Sequence, residues 1–194
     1  RVMNLSDTNR AAFRLVREVK PLEVGDTFPN YPLTNQFGRA FQTDDYRGQV
    51  LAFTLIFTRC PLPDFCPRIS KNIKRIQAEL TGKENTVTNW QLLSISFDVD
   101  FDTPQVLNSY AKALGANPDR WTFATGALIE IDDITERFGM YFAREQGTFS
   151  FNHNMRTVIV DPNGKIHQVF IGNTWQVEDV IRSIRTAAAV KPSP

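Results

Sequence analysis

The chain of 194 residues has few of the side chains that usually mark a function. It contains two cysteines and two histidines, and its 22 basic against 21 acidic residues leave a net charge of only +1. Near-neutral charge spread along the chain does not resemble the basic footprint that a nucleic-acid backbone requires, and argues against nucleic acid as a partner. No apolar run approaches the ~18 residues that span a bilayer; the longest, VLAFTLIF at 50–57, has the length of a strand. Repeats and low-complexity tracts are absent. What remains, 42% hydrophobic residues with 15 phenylalanines, suits one domain with a sizeable core. The chain starts at Arg1 and not at Met, which reads as a processed product or a cut fragment. A leader or N-terminal anchor could thus have preceded it.

Along the chain, residues 1–20 lack strong apolar periodicity and are expected to form an arm or linker, with a single domain over 21–190. PLTNQFGRAFQTDDYRG alternates apolar and polar positions around Phe37-Gly38, the pattern of a hairpin. VLAFTLIF and WQLLSISF (90–97) read as strands buried on both faces. Between them Ile69, Ile73, Ile76 and Leu80 recur at helical spacing, and Gly82 ends the helix. A second helix opens on Asp102 or Thr103 as cap with Pro104 at its first position, and stops at Gly115. RWTFAT is a third strand and ALIEIDDITERFG a third helix. MRTVIVD, the turn DPNG and KIHQVFIG make an antiparallel hairpin, and a last helix packs Val177, Val180, Ile181 and Ile184. This order predicts an α/β, thioredoxin-like three-layer sandwich, a central mixed sheet with helices on both faces.

Both cysteines lie in TRCPLPDFCPRIS (58–70), where five residues separate Cys60 from Cys66 and three prolines stiffen the stretch. They sit at the carboxyl end of the first long strand, where open α/β sheets place their chemistry. Three readings compete. A structural disulfide would close a seven-residue loop worth about 2.4 kcal/mol of unfolded-state entropy, less in a loop that proline already restricts. A redox couple and a metal-binding pair share one basis. Pro67 at the first helical position would put Cys66 at or beside the N-cap, where free N–H groups and the helix dipole favour a thiolate. A thiolate is both a nucleophile and a ligand for soft ions such as Cu(I). A Cys2His2 zinc site would need both histidines, which stand 14 residues apart in a hairpin and lack zinc-finger spacing. His167, inside KIHQVFIG and facing opposite to Ile166, is expected to face solvent. His153, in FSFNHNM before the hairpin, reads by itself as an exposed loop residue.

Together the segments GDTFPNYPLTNQFGRAF, LAFTLIFTRCPLPDFCPRIS, SISFDVDFDTPQVLNSYAKALGA and NHNMRTVIVDPNGKI resemble the Sco/SenC family, thioredoxin-fold copper proteins of cytochrome c oxidase assembly. The resemblance covers roughly residues 24–185 and implies that Cys60, Cys66 and His153 bind one copper ion. It also implies that Asp98, at a family acidic position, supports the site from outside the ligand set. A metallochaperone follows, extracytoplasmic and either periplasmic or membrane-anchored facing the periplasm. It would deliver copper to the oxidase copper centre, or reduce that centre's cysteines. Its partner would be a copper-accepting oxidase subunit or another copper or thiol protein, with no nucleic acid and a membrane only through an anchor upstream of Arg1. The alternative is a thiol–disulfide oxidoreductase using Cys60 and Cys66 as catalytic thiols without a physiological metal. The chain departs from the family in one respect, five residues between the cysteines where three are usual, so that Cys60 is expected on a separate rigid arm. Related chemistries fit less well. A peroxiredoxin has proline seven and threonine or serine three residues before its reactive cysteine, where this chain has Phe53 and Phe57. A thioredoxin has C-x-x-C and a facing proline, and no proline occurs here between Pro118 and Pro162.

Overall fold

In this computed structural model, residues 19–148 and 150–191 are described. The arm expected over residues 1–20 lies almost wholly outside them. The first hairpin pairs β1 (Pro32–Asn35) with β2 (Ala40–Gln42), and a 3-10 turn at Thr43–Tyr46 leads on to β3 (Val50–Ile56). Then follow α1 (Cys66–Thr81), β4 (Trp90–Ser96), α2 (Pro104–Leu114), β5 (Trp121–Thr125) and α3 (Leu128–Arg137). Two short strands, β6 (Phe142–Arg144) and β7 (Phe151–His153), precede the hairpin of β8 (Arg156–Val160) and β9 (Ile166–Ile171), and α4 (Val177–Ala188) closes the fold.

Seven strands form one mixed sheet in the order β2-β1-β5-β4-β3-β8-β9. β3, β4 and β5 run parallel, joined through α1 and α2, and the other pairings are antiparallel. β3 lies between β4 and β8 and is buried at all seven positions, which is why its sequence shows no alternation. α1 packs against α2 and α4 in one helical layer. Its buried face holds Ile69, Ile73, Ile76 and Leu80, each worth about 1.5–3 kcal/mol of burial. On the other face, Phe53 stacks on Phe28 at 4.9 Å and meets Phe138, the residue that ends α3, edge-on at 5.2 Å. The thioredoxin-like α/β sandwich is therefore present.

The termini of the elements follow their local chemistry. Thr103, not Asp102, caps α2 through its side chain, with Pro104 next and Gly115 at the end in the left-handed conformation, φ 72°. Gly164 in the DPNG turn also has positive φ, and the Arg47 guanidinium occupies the space a Cβ would need there. One expected detail shifts. Phe65 is the N-cap of α1, so Cys66 stands beside the cap as expected, but as the first helical residue, with Pro67 second and not first. Pro67 is accommodated at the second position because the N–H it lacks is one the first turn would leave unpaired.

Candidate metal centre

The site stands at the carboxyl end of β3, beside the first turn of α1. Between Cys60 and Cys66 the chain makes its own tight turn: Phe65 N–H donates to Leu62 carbonyl at 3.1 Å, with Pro63 at the second position, where its fixed φ belongs. The turn absorbs the extra residues of the loop. From the far side Asn173 Nδ2 donates to the Asp64 carbonyl. Cys60 is therefore not held away. Cys60 Sγ, Cys66 Sγ and a His153 ring nitrogen all lie within 4.8 Å of one another. Both cysteines are free thiols, Cys60 half-buried and Cys66 fully buried.

His153 departs from the sequence reading. It is not an exposed loop residue but the last residue of β7, 6% exposed, paired with Phe142 of β6. The rings of Phe97, Phe57 and Phe65 surround it at centroid distances of 5.2, 5.6 and 5.8 Å. Its orientation is fixed by one bond: Nδ1 lies 2.8 Å from the Asn154 carbonyl, which can only accept, so Nδ1 carries the proton. In the neutral ring Nε2 then presents its lone pair to Cys66 Sγ, 3.8 Å away. The tautomer is the one a metal ligand needs. His167 stands elsewhere, half-exposed, with Nε2 3.0 Å from Thr186 Oγ1 on α4, so no second histidine completes a zinc tetrad among the described residues.

The two thiols are shifted in opposite directions, Cys60 down and Cys66 up. The hydrogen bond from Cys66 pulls the Cys60 thiol well below its ordinary value, and His153 and the Leu62 backbone add to this against a counteracting burial. Cys66 goes up, first because it is the donor to Cys60 and then because it is buried. Loss of a proton is thus favoured at Cys60 over Cys66, where the helix start alone would favour Cys66. Backbone N–H groups of Phe57 and Cys66 do favour a charged Cys66, as expected near a helix start, but they are outweighed.

Asp98 is 1% exposed, and its carboxylate joins two arginines. Arg59 Nε, next to Cys60, lies 2.7 Å from Oδ2, and Arg144 Nη2 of β6 lies 3.4 Å from Oδ1. One buried charge thus ties the cysteine loop to the hairpin that carries His153. Arg59 also covers the Phe101 ring at 4.1 Å, and Arg144 covers Phe151 at 4.8 Å. A second buried carboxylate, Asp102, anchors the loop stem by accepting from Thr58 N–H at 2.9 Å and from the Thr58 and Ser96 hydroxyls. Burial raises its pKa, and these bonds partly offset the rise. Sequence reasoning did not find Arg59, Arg144 or Asn154. Adjacency to Cys60 and His153 could have flagged the first and last, while nothing local marks Arg144.

Two thiols are soft donors and an imidazole lone pair is compatible with them, so the cluster suits a soft ion such as Cu(I) better than a hard one. Ligands around one such ion at about 2.0–2.3 Å lie roughly 3.3–4 Å apart. The separations found here fit that need after small side-chain movement. Fold and cluster together define a thioredoxin-fold protein with a two-thiol, one-imidazole site. The chain belongs to the SCO1/SenC family, whose model matches residues 19–189. It is 26% identical over 164 residues to a SCO1 protein homolog of Bacillus subtilis, covering 83% of this chain and 82% of that protein. Among solved structures it resembles a SCO1/SenC family lipoprotein from Bacillus anthracis, with 27% identity, a TM-score of 0.72, and coverage of 87% and 98% of the two chains. Yeast Sco1 with copper bound has the same fold at 20% identity, a TM-score of 0.70, and coverage of 87% and 92%.

Proposed function

We propose that the chain is a copper-binding metallochaperone in which the Cys60 and Cys66 thiolates and His153 Nε2 hold one copper ion. The observation that carries this is the convergence of the three ligand atoms within 4.8 Å, with Nε2 freed by the Nδ1 bond to Asn154. Family membership, and the copper-bound yeast relative, support copper over other soft ions. The same membership supports a role in cytochrome c oxidase assembly, delivering copper to the oxidase copper centre or reducing its cysteines, with the copper-accepting subunit as partner. An extracytoplasmic place agrees with the lipoprotein relative, and no helix of the described residues is long and apolar enough to cross a membrane. Titration of the reduced protein with Cu(I) against a competing chelator tests the reading. One tightly held equivalent is expected, and no binding above that of a cysteine-free variant would sink it.

A second reading rests on the unequal burial of the pair: a half-exposed Cys60, its thiol drawn below its ordinary pKa, backed by a buried Cys66 is the arrangement of an attacking and a resolving cysteine. The pair is then expected to oxidise readily to an intramolecular disulfide that no longer binds Cu(I). Thiol counting after mild oxidation, followed by copper titration, checks both parts, and full-strength binding by the oxidised form would rule out a two-thiolate site.

A further inference from the structure

Charge is distributed unevenly over the two faces of the sheet. α1 exposes Arg68, Lys71, Lys74 and Arg75 and carries one acid, Glu79. α2, packed beside it, adds Lys112 and has no acid. Among the described residues the ion pair on this ridge is Arg75 with Glu178 at 3.3 Å, both largely exposed and therefore weakly coupled. On the opposite face α3 bears Glu130, Asp132, Asp133 and Glu136 against Arg137. A chain whose net charge is only +1 thus has a basic side and an acidic side.

The basic side leads to the site. Arg68 is two residues beyond Cys66, on the first turn of α1. Beside that turn the Leu62–Phe65 bend holds out Leu62, a large apolar side chain 45% exposed and two residues from Cys60. A cationic ridge with an apolar tip at its reactive end has the parts of a docking surface: charge to orient the partner and one hydrophobic contact to seat it.

We infer that the α1–α2 ridge, with Leu62 at its metal end, docks an acidic partner protein so that the partner's thiols reach Cys60. This rests on the reading of the site given above, because the docked protein is taken to be the one that exchanges copper or electrons with the cysteines. A bilayer fits the ridge less well. The other exposed positions of α1 are Ala78, Glu79 and Thr81, without the aromatic or large aliphatic groups that hold an amphipathic helix in a membrane.

The test uses the whole chain and two cyclic twelve-residue peptides. Each is closed by one disulfide and carries one leucine, and they differ only in four glutamates against four lysines. Reduced protein exchanges with either in balanced steps. Cys60 thiolate attacks a peptide sulfur, the ring S–S bond breaks, and the electron pair leaves on the other peptide sulfur. Cys66 then displaces the peptide and gives up its proton. The peptide gains two electrons, and the protein becomes the Cys60–Cys66 disulfide. The glutamate peptide should react about tenfold faster at low ionic strength, with the difference fading towards 0.5 M salt. The preference should reverse in the triple variant Arg68→Glu, Lys71→Glu, Lys74→Glu, whose sites are all exposed. Leu62→Ser should slow both peptides alike. Linear serine versions of the peptides, followed by fluorescence anisotropy, read docking apart from chemistry. Equal rates and equal binding at low salt overturn the inference, as does a preference that the triple variant leaves unchanged. Tight binding to phosphatidylserine vesicles without discrimination between peptides overturns it in favour of a membrane. Copper titration run in parallel separates the two readings. Discrimination without copper binding keeps the ridge and removes the metallochaperone, and copper binding without discrimination removes the ridge alone.

Discussion

The site is assembled from two halves that are built differently. The cysteine half is a strand, a short loop and a helix in succession, with β3 buried in the middle of a seven-stranded sheet. The histidine half is a pair of three-residue strands outside that sheet. It is held by aromatic contacts among Phe97, Phe142 and Phe151, by the Tyr141–Asn154 bonds and by the ion pair of Arg144 with Asp98. A two-stranded ribbon is marginal by itself, so most of its order must come from what it leans on. The comparison teaches that the sulfurs are placed by the core of the fold, and the imidazole by a few contacts made at the site itself.

The largest expected effect breaks the cysteine half. Cys66→Ser or Cys60→Ser removes one of the two soft donors and should lower Cu(I) affinity at least about 100-fold, measured by chelator competition. If Cys60→Ser binds as tightly as the parent, Cys60 is not a ligand and the oxidoreductase reading takes first place. Next is the histidine half. His153→Ala should weaken binding by about tenfold or more and reduce Cys60 reactivity only in part, because Cys66 supplies the larger share of the lowering, while His167→Ala should change neither; equal losses from both would show that the wrong imidazole has been assigned.

Asp98 joins the halves, so Asp98→Asn should loosen both. Copper affinity is expected to fall about tenfold, as for partners that orient metal ligands, and stability by roughly 1–3 kcal/mol from two arginines losing a buried partner. Comparison with Arg144→Ala sharpens the point. That variant should reproduce the affinity loss in part and leave the alkylation rate of Cys60 unchanged, because it frees only the hairpin.

A pH series distinguishes the thiols within the cysteine half. The Cys60 pKa is lowered, so its thiolate persists as pH falls, whereas the raised pKa of Cys66 keeps that thiol protonated. Alkylation by iodoacetamide should therefore modify Cys60 at pH 6 nearly as fast as at pH 8, where an ordinary cysteine slows by about 100-fold. Peptide mapping that finds Cys66 modified first would reverse the assignment. The smallest effect is expected from deleting Pro63 and Asp64, which restores the shorter family spacing and should retain measurable copper binding.

The two halves also differ in how much the sequence discloses of them. VLAFTLIF, the isoleucine spacing of α1 and the Asp-Pro-Asn-Gly turn carry local patterns that survive into the structure, because burial on both faces, a single apolar stripe and a tight turn each impose a period or a residue type. The loop position of both cysteines was legible for the same reason. The β6–β7 pair was not. Three residues are too few to show alternation, and His153 is buried by phenylalanines at positions 57, 65 and 97, remote in sequence. The balance between the two thiols depends on geometry of the same kind. A helix start does favour a thiolate, but the Cys66 thiol is fully buried beside Cys60, which only the folded loop reveals, and both push its pKa up.

The bend from Leu62 to Phe65 has a consequence for how this loop can vary. Its hydrogen bond returns the chain towards where it departed, so the added residues lengthen the contour without lengthening the span between the sulfurs. Loop length and chelate geometry are thereby uncoupled. Residues at the tip of such an excursion are free to change in number and character while the ligands below keep their places, which makes this turn a position where a recognition sequence can be grafted without rebuilding the metal site.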